Sequence, residues 1–434
     1  MTTIAARRPL GLLGQRNFRL LWTGETVSTA GNAMATVGVP LLAVTVLHAS
    51  TFAVAALTAA AYLPWLVIGL PAGAWVDRLP PRPLMITCDV ISALLFASLP
   101  VAAWTGTLST PLVVAVALLA GAVNVFFATA YQVYLPSLVT REELVEGNAK
   151  LQAGLSVASI TGRGAVGLAQ AVGAAPSLLF NAGSFLVSAA CLLRIRPPDP
   201  APAPAPASAP AAPPATESAP KPPVRSTVRA EVAQGVRWVA RDPYFRPLTL
   251  YAAVSNLAYS GNLALVVVFL VRVVGLGSLA VGLVTATGGI GGLAGALIAG
   301  RLARRFGSAR TLILANLGSG LFGLLIPLTA RGPLIACYVI GAAVVSGGII
   351  VSNVIAASFR QEYCPPSMLG RATASMRLVA FGAVPFGALL AGALGTALGV
   401  RNGLWVDLAL YAASGSLLLT RRIRTARDLP RRPS

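Results

Sequence analysis

Twelve apolar stretches, each about 20 residues or longer, recur along this 434-residue chain, and nothing else in the sequence limits its fold so tightly. They lie at 18–46, 50–76, 84–104, 110–134, 148–172 and 175–195, then at 245–272, 277–301, 309–329, 333–356, 371–397 and 400–420. A helix needs about 20 residues to cross ~30 Å of hydrocarbon, and within lipid every backbone N–H and C=O must be satisfied internally. The spans are therefore expected to be helices. The first is too long for a signal-peptide core and no small-residue cleavage site follows it, so it is kept as a helix. The expected fold is an all-α membrane protein with twelve transmembrane helices.

Composition agrees and removes several alternatives. Hydrophobic residues make up 56% of the chain and charged residues 11%, whereas soluble domains run near 45–50% and about 25%. A net charge of +20 would suit nucleic-acid binding only on a solvated surface, which a chain with mean hydropathy +0.76 lacks. One histidine, His48, and four scattered cysteines (Cys88, Cys191, Cys337 and Cys364) form no CxxC and no His/Cys cluster. No metal, cofactor or enzymatic activity is expected. No Walker A sequence is present, so ATP is not expected to act directly.

The basic residues set the orientation. With a cytoplasmic N-terminus, Arg7, Arg8, Arg16, Arg19, Arg78, Arg82, Arg141, Lys150, Arg301, Arg304, Arg305, Arg310, Arg360, Arg371 and six arginines after 420 fall inside. Only Arg272, Arg331 and Arg401 fall outside. That bias places both termini in the cytoplasm. Residues 197–223 contain twelve prolines, mostly alternating with alanine, and cannot bury apolar surface. The domains are then an N-terminal six-helix half (1–196), a disordered cytoplasmic linker (197–227) and a C-terminal half (228–434). The last opens with an amphipathic helix, Val228–Arg241, suited to a membrane surface, and closes with a basic tail suited to lipid headgroups.

A shift of 227 residues superposes Phe18-Arg19 on Phe245-Arg246, Ala53-Val54 on Ala280-Val281, Thr58-Ala59 on Thr285-Ala286 and Gly73 on Gly300. Two pseudo-symmetric halves follow, a transporter architecture with its substrate site between them at mid-membrane. The loop Gly73-Ala-Trp-Val-Asp77-Arg78-Leu-Pro-Pro-Arg82 resembles the signature between helices 2 and 3 of the major facilitator superfamily. Gly300-Arg-Leu-Ala-Arg304-Arg305-Phe-Gly307 is similar to the second copy, between helices 8 and 9. The stretches Phe18–Glu25, Leu135–Gly147, Gly235–Pro243 and Gly370–Gly387 further resemble the bacterial exporter branch that includes enterobactin exporters and antibiotic efflux proteins. The resemblance implies a gating role for Gly73, Asp77, Arg78, Arg82, Gly300, Arg304, Arg305 and Arg377, with Asp77 accepting from the helix start near Gly370–Ala372. Its departures are Asn32, where many members carry an acid, and Arg163, which replaces the proline of the antiporter motif.

Few charges remain within the spans. Glu25 shares a helical face with Thr29, Asn32 and Thr36. A carboxylate at a helix centre costs about 2.5–3.5 kcal/mol, so Glu25 is a candidate proton carrier or an interfacial partner of Arg16 or Arg19. Asp89 is a second proton-coupling candidate, or the partner of a loop arginine. Gln152, Ser156, Ser159, Arg163 and Gln170 form one polar stripe. Arg163 cannot lose its proton and either contacts an anionic group on the substrate or pairs with Glu25 or Asp407. Tyr62, Trp65, Asn124, Tyr131, Gln132, Asn256, Tyr259 and Asn353 are candidates for substrate contact or helix–helix bonds, and the glycines of the eighth span for close packing.

The reading that follows is a monomeric secondary transporter in a bacterial inner membrane. It exports a small amphipathic organic molecule (a drug, natural product or siderophore) by alternating access in exchange for protons. The rivals are an uncoupled facilitator, an importer, a lipid flippase, or a non-transporting sensor or scaffold. Membrane lipids and a small-molecule substrate are the expected partners; nucleic acid is not.

Overall fold

The computed structural model describes residues 11–76, 78–139, 143–171, 174–196 and 228–430. The expected linker (197–227) and Asp77 lie outside the described residues, as do the side chains of Gln152 and Gln170. In chain order the α-helices are α1 (Arg16–Thr45), α2 (Thr51–Val67), α3 (Gly69–Val76), α4 (Pro81–Trp104), α5 (Thr110–Leu138), α6 (Leu144–Ala171) and α7 (Ala174–Arg194). Then come α8 (Val228–Arg241), α9 (Phe245–Val268), α10 (Ser278–Phe306), α11 (Ser308–Gly323), α12 (Ile335–Tyr363), α13 (Pro366–Ala397), α14 (Val400–Ser414) and the single turn α15 (Arg421–Arg424). Among the described residues, eight helical segments are long and apolar enough to cross a membrane; they are built on α1, α4, α5 and α9 through α13. The other four expected stretches fall on α2–α3, α6, α7 and α14, and for these the crossing remains an expectation.

The stretch 50–76 departs from a single helix. It breaks at Ile68, because Pro71 has no N–H to return to the preceding turn and its ring crowds that turn's carbonyl. Elsewhere small residues set helix spacing. Gly291 and Gly295 of α10 lie against the carbonyls of Ala343 and Gly347 on α12, where a Cβ would strike backbone. Without a hydrophobic force between helices in lipid, this close backbone approach is what holds them together. The expected packing role of these glycines is met at Gly291 and Gly295 and, against Ile160 of α6, at Gly289.

The two ends of the bundle differ. Toward the Thr45 end of α1, one core joins Met34, Val37 and Leu41 to Leu265, Phe269, Leu270 and Leu404, and a second joins Leu42, Val44, Val54 and Leu178 to Val268. Segments before and after residues 197–227 are interleaved there. Toward the Arg16 end, Phe18, Leu21, Met85, Leu135 and Leu192 form one core and Phe245, Leu312, Phe359, Ile423 and Leu429 another, with no shared member. The bundle is sealed at the first end and divided at the second.

The sealed end carries the three arginines outside the basic rim. Helix α9 ends in a π turn, Phe269–Val273, and from it Arg272 donates to the Ala49 carbonyl at 2.6 Å. Arg331 donates to the carbonyls of Val274 and Gly275, and Arg401 to that of Thr329.

Helix α8 spans the expected residues but seats itself on protein. Gly235 packs on the Arg371 carbonyl, Val239 is buried among Phe245 and Met376, and Val236 is left exposed. The chain at residues 427–429 is docked as well. Asp428 accepts from the Ser308 N–H at 2.8 Å, Arg427 offers its carbonyl to Ala309 N–H, and Leu429 is buried. These bonds cap the first turn of α11, whose N–H groups have no partners within the helix.

Candidate functional site

A cavity of about 760 Å³ opens among α1, α2, α4 and α5 and is completed by Leu155, Phe185, Leu263 and Arg377. That volume suits a drug-sized ligand. Glu25, Thr29, Asn32 and Thr36 descend one wall, as their helical spacing requires. Asp89 faces them from α4, Tyr62 and Trp65 come from α2, and Asn124, Tyr131 and Gln132 from α5. Of the candidates named from the sequence, Glu25, Asp89, Asn32, Tyr62, Trp65, Asn124, Tyr131 and Gln132 are therefore brought together in one place.

Both carboxylates are underbonded. Glu25 Oε2 and Asp89 Oδ2 are buried with no hydrogen-bond partner, and so is Tyr131 Oη. Neither acid forms an ion pair with a described arginine, so pairing of Glu25 with Arg16 or Arg19 is not observed. Arg82, two turns before Asp89 on α4, is committed elsewhere: it donates from Nε and Nη2 to the carbonyls of Leu192 and Leu193, at 2.9 and 2.8 Å. It thus satisfies the end of α7, where a cation also meets the negative helix terminus. Arg377 supplies the positive charge in the cavity wall. Aromatic rings surround these groups, with Trp65 stacked on Phe381 of α13 at 5.7 Å between centroids.

Arg163 stands elsewhere. It lines a separate space of about 50 Å³ with Tyr259, Asn262 and Tyr338, and forms no ion pair with Glu25 or Asp407. Asp407 is buried on α14 against Gly261, its Oδ2 unpaired. The intramembrane pair, one of the two alternatives for Arg163, is not observed, because α6 turns Arg163 toward α9 and α12 while α14 turns Asp407 into α9. Ser156, Ser159 and Asn256 line neither space, and Asn256 donates to its own helix at Ala252. Asn353 is exposed and also lines neither, since Ser352, Ile355 and Phe359 take the buried side of α12.

The gating motif is only partly visible. Asp77 lies outside the described residues, as does the environment of Gly73. Arg78, Arg304 and Arg305 are exposed, and Arg305 lies over the ring of Phe306 at 5.4 Å. Gly300 sits in α10 a turn before Arg304, and Gly307 ends that helix at φ 89°, a conformation open to glycine.

Ser28, Ser92, Phe96, Phe127 and Phe185 were not anticipated in the large cavity. Ser28 and Ser92 each follow a carboxylate by three residues, a spacing that places them on its face. Asn262 had a signal too, since Gly261-Asn262 echoes Gly31-Asn32 at an offset of 230 instead of 227. Tyr338 had none.

A helical membrane protein with an open, charged and aromatic cavity of this size has room for a small molecule. The family model described as Major Facilitator Superfamily matches residues 21–385 and 248–434, and the chain belongs to that family of transporters. It is 28% identical over 344 residues to the Uncharacterized MFS-type transporter y4rN of Sinorhizobium fredii, covering 77% of this chain and 78% of that one. It is 29% identical over 382 residues to the Multidrug efflux pump Tap of Mycolicibacterium fortuitum, covering 86% and 87%. Its fold is similar to the crystal structure of the nucleoside transporter NupG, with a TM-score of 0.71 at 10% identity over 93% of this chain and 98% of that one.

Proposed function

We propose that this transporter exports a small amphipathic organic molecule by alternating access in exchange for protons. The observation that carries the reading is the large cavity, in which Glu25 and Asp89 present unpaired carboxylate oxygens among aromatic walls. A carboxylate in that setting is either protonated or compensated by a cation. Exchange follows if proton and substrate compete for the same two groups. Two acids against the single arginine, Arg377, favour substrates that carry positive charge, and the rings supply stacking and cation–π contacts. The likeness to the pump Tap is consistent with efflux.

Alternation draws support from the unequal ends. The end sealed by interleaved cores is the outward face, the divided end faces the cytoplasm, and rocking of two six-helix halves exchanges them. Twelve crossings, cytoplasmic termini and a place in a bacterial inner membrane complete the reading. One proton entering down 100 mV supplies about 2.3 kcal/mol, enough for a roughly fifty-fold gradient of a neutral substrate, whereas exchange for a singly charged cation is electroneutral and is driven by the pH difference alone.

The test is dye accumulation in everted membrane vesicles, with ethidium and a neutral dye compared, before and after an uncoupler. Energised accumulation of ethidium that collapses with the uncoupler is expected. Movement that ignores the uncoupler would leave an uncoupled facilitator in its place.

A further inference from the structure

The 50 Å³ space around Arg163 differs in kind from the large cavity. It lies between α1 and α6 on one side and α9, α10 and α12 on the other. Thr36 and Leu263 stand in the walls of both spaces, so the two adjoin. Arg163 is the one charged residue in its wall, and no acid faces it among the described residues. Arg163 Nε is buried with no hydrogen-bond partner. The hydroxyls of Tyr259, Tyr338 and Ser346 line the same space, and none of them forms a hydrogen bond with a described residue. Asn262 Oδ1 is unpaired too, and a half-turn of that amide offers its NH₂ inward.

A permanent cation, several idle donors and no carboxylate describe an incomplete charge balance. Guanidinium cannot discharge itself by losing a proton, and an uncompensated charge among helices is costly. The space is too small for a drug-sized molecule, which needs ~300 Å³ or more, yet it exceeds what one water requires.

We propose that this pocket binds one monovalent inorganic anion of halide size, held by Arg163 and by the hydroxyls of Tyr259, Tyr338 and Ser346. Its walls come from segments on both sides of residues 197–227, so a bound anion fastens those segments together while the Thr45 end is sealed. Opening that end parts the walls and releases the ion.

The experiment is thermal unfolding of the purified full-length chain in detergent, titrated with sodium chloride or bromide against sodium gluconate at constant ionic strength. A ligand that binds only the folded state raises Tm with its concentration. Chloride and bromide are expected to raise Tm in a saturating way and gluconate to leave it unchanged. Arg163→Gln removes the response, and Arg377→Gln, in the other cavity, keeps it. Should Arg163→Gln fail to fold, Tyr338→Phe keeps the ring and is expected to shift the chloride midpoint upward about tenfold. Equal Tm in chloride and gluconate overturns the proposal. So does an unaltered response in both Arg163→Gln and Tyr338→Phe, or a response to acetate without one to halide, which assigns the guanidinium to an organic acid.

Discussion

Glu25 and Asp89 show how a single side chain acquires a role from what it lacks. Each is buried without a partner for one carboxylate oxygen, in the wall of a cavity large enough for substrate. Replacing Glu25 with Gln or Asp89 with Asn keeps the shape and removes the exchangeable proton. Either change is expected to reduce uncoupler-sensitive ethidium accumulation by about tenfold or more, with the amount of protein in the membrane unchanged on immunoblots; retained accumulation in both variants would remove the acids from the coupling step. The helical face carrying Glu25, Thr29, Asn32 and Thr36 is legible in the sequence because its spacing is fixed by the helix alone. The destination of Arg163 is not legible, since it depends on how α6 meets α9, α10 and α12. Asn353 shows the same limit: a polar residue on an apolar helix does not say which way its helix is turned.

Elements are governed here by backbone approach. Helices α10 and α12 meet through Gly291 and Gly295, and a side chain at either position would strike the facing carbonyls. Gly291→Leu is expected to cost about 1–3 kcal/mol of packing and lower Tm in detergent by several degrees. Gly318→Leu on α11, where nothing lies within 4 Å, is the control and is expected to leave Tm unchanged. Equal losses in the two variants would mean that the close approach is not what matters. The glycine run of α10 announces this packing in the sequence. The break at Ile68 is hidden there, because prolines are tolerated in apolar helices and only the fold shows which one ends its helix. The docking of α8 and of residues 427–429 is equally hidden. A basic amphipathic segment suits a membrane surface, and its spacing alone does not show that Gly235 and Val239 also pack against protein.

At the scale of the whole molecule, one end is held by shared cores and by Arg272, which bridges from the π turn to Ala49. Loss of a hydrogen bond from a charged donor is worth about 1.5–3 kcal/mol, or roughly tenfold or more in a two-state population. In Arg272→Ala, a cysteine placed at the buried Val37 is expected to react with a maleimide faster by about that factor. An unchanged rate would show that the latch does not hold the end shut. Twelve apolar stretches and a two-copy loop motif make the family readable from sequence, whereas the unequal ends arise from contacts between distant segments and appear only in the fold. The central claim, that proton entry and substrate exit share the Glu25–Asp89 cavity, is tested most directly in proteoliposomes holding only this protein, with a proton gradient imposed by a pH jump. Ethidium accumulation should follow the imposed gradient, vanish with an uncoupler and fall by about tenfold or more in Glu25→Gln vesicles; accumulation that is the same with the gradient present and collapsed would contradict the account.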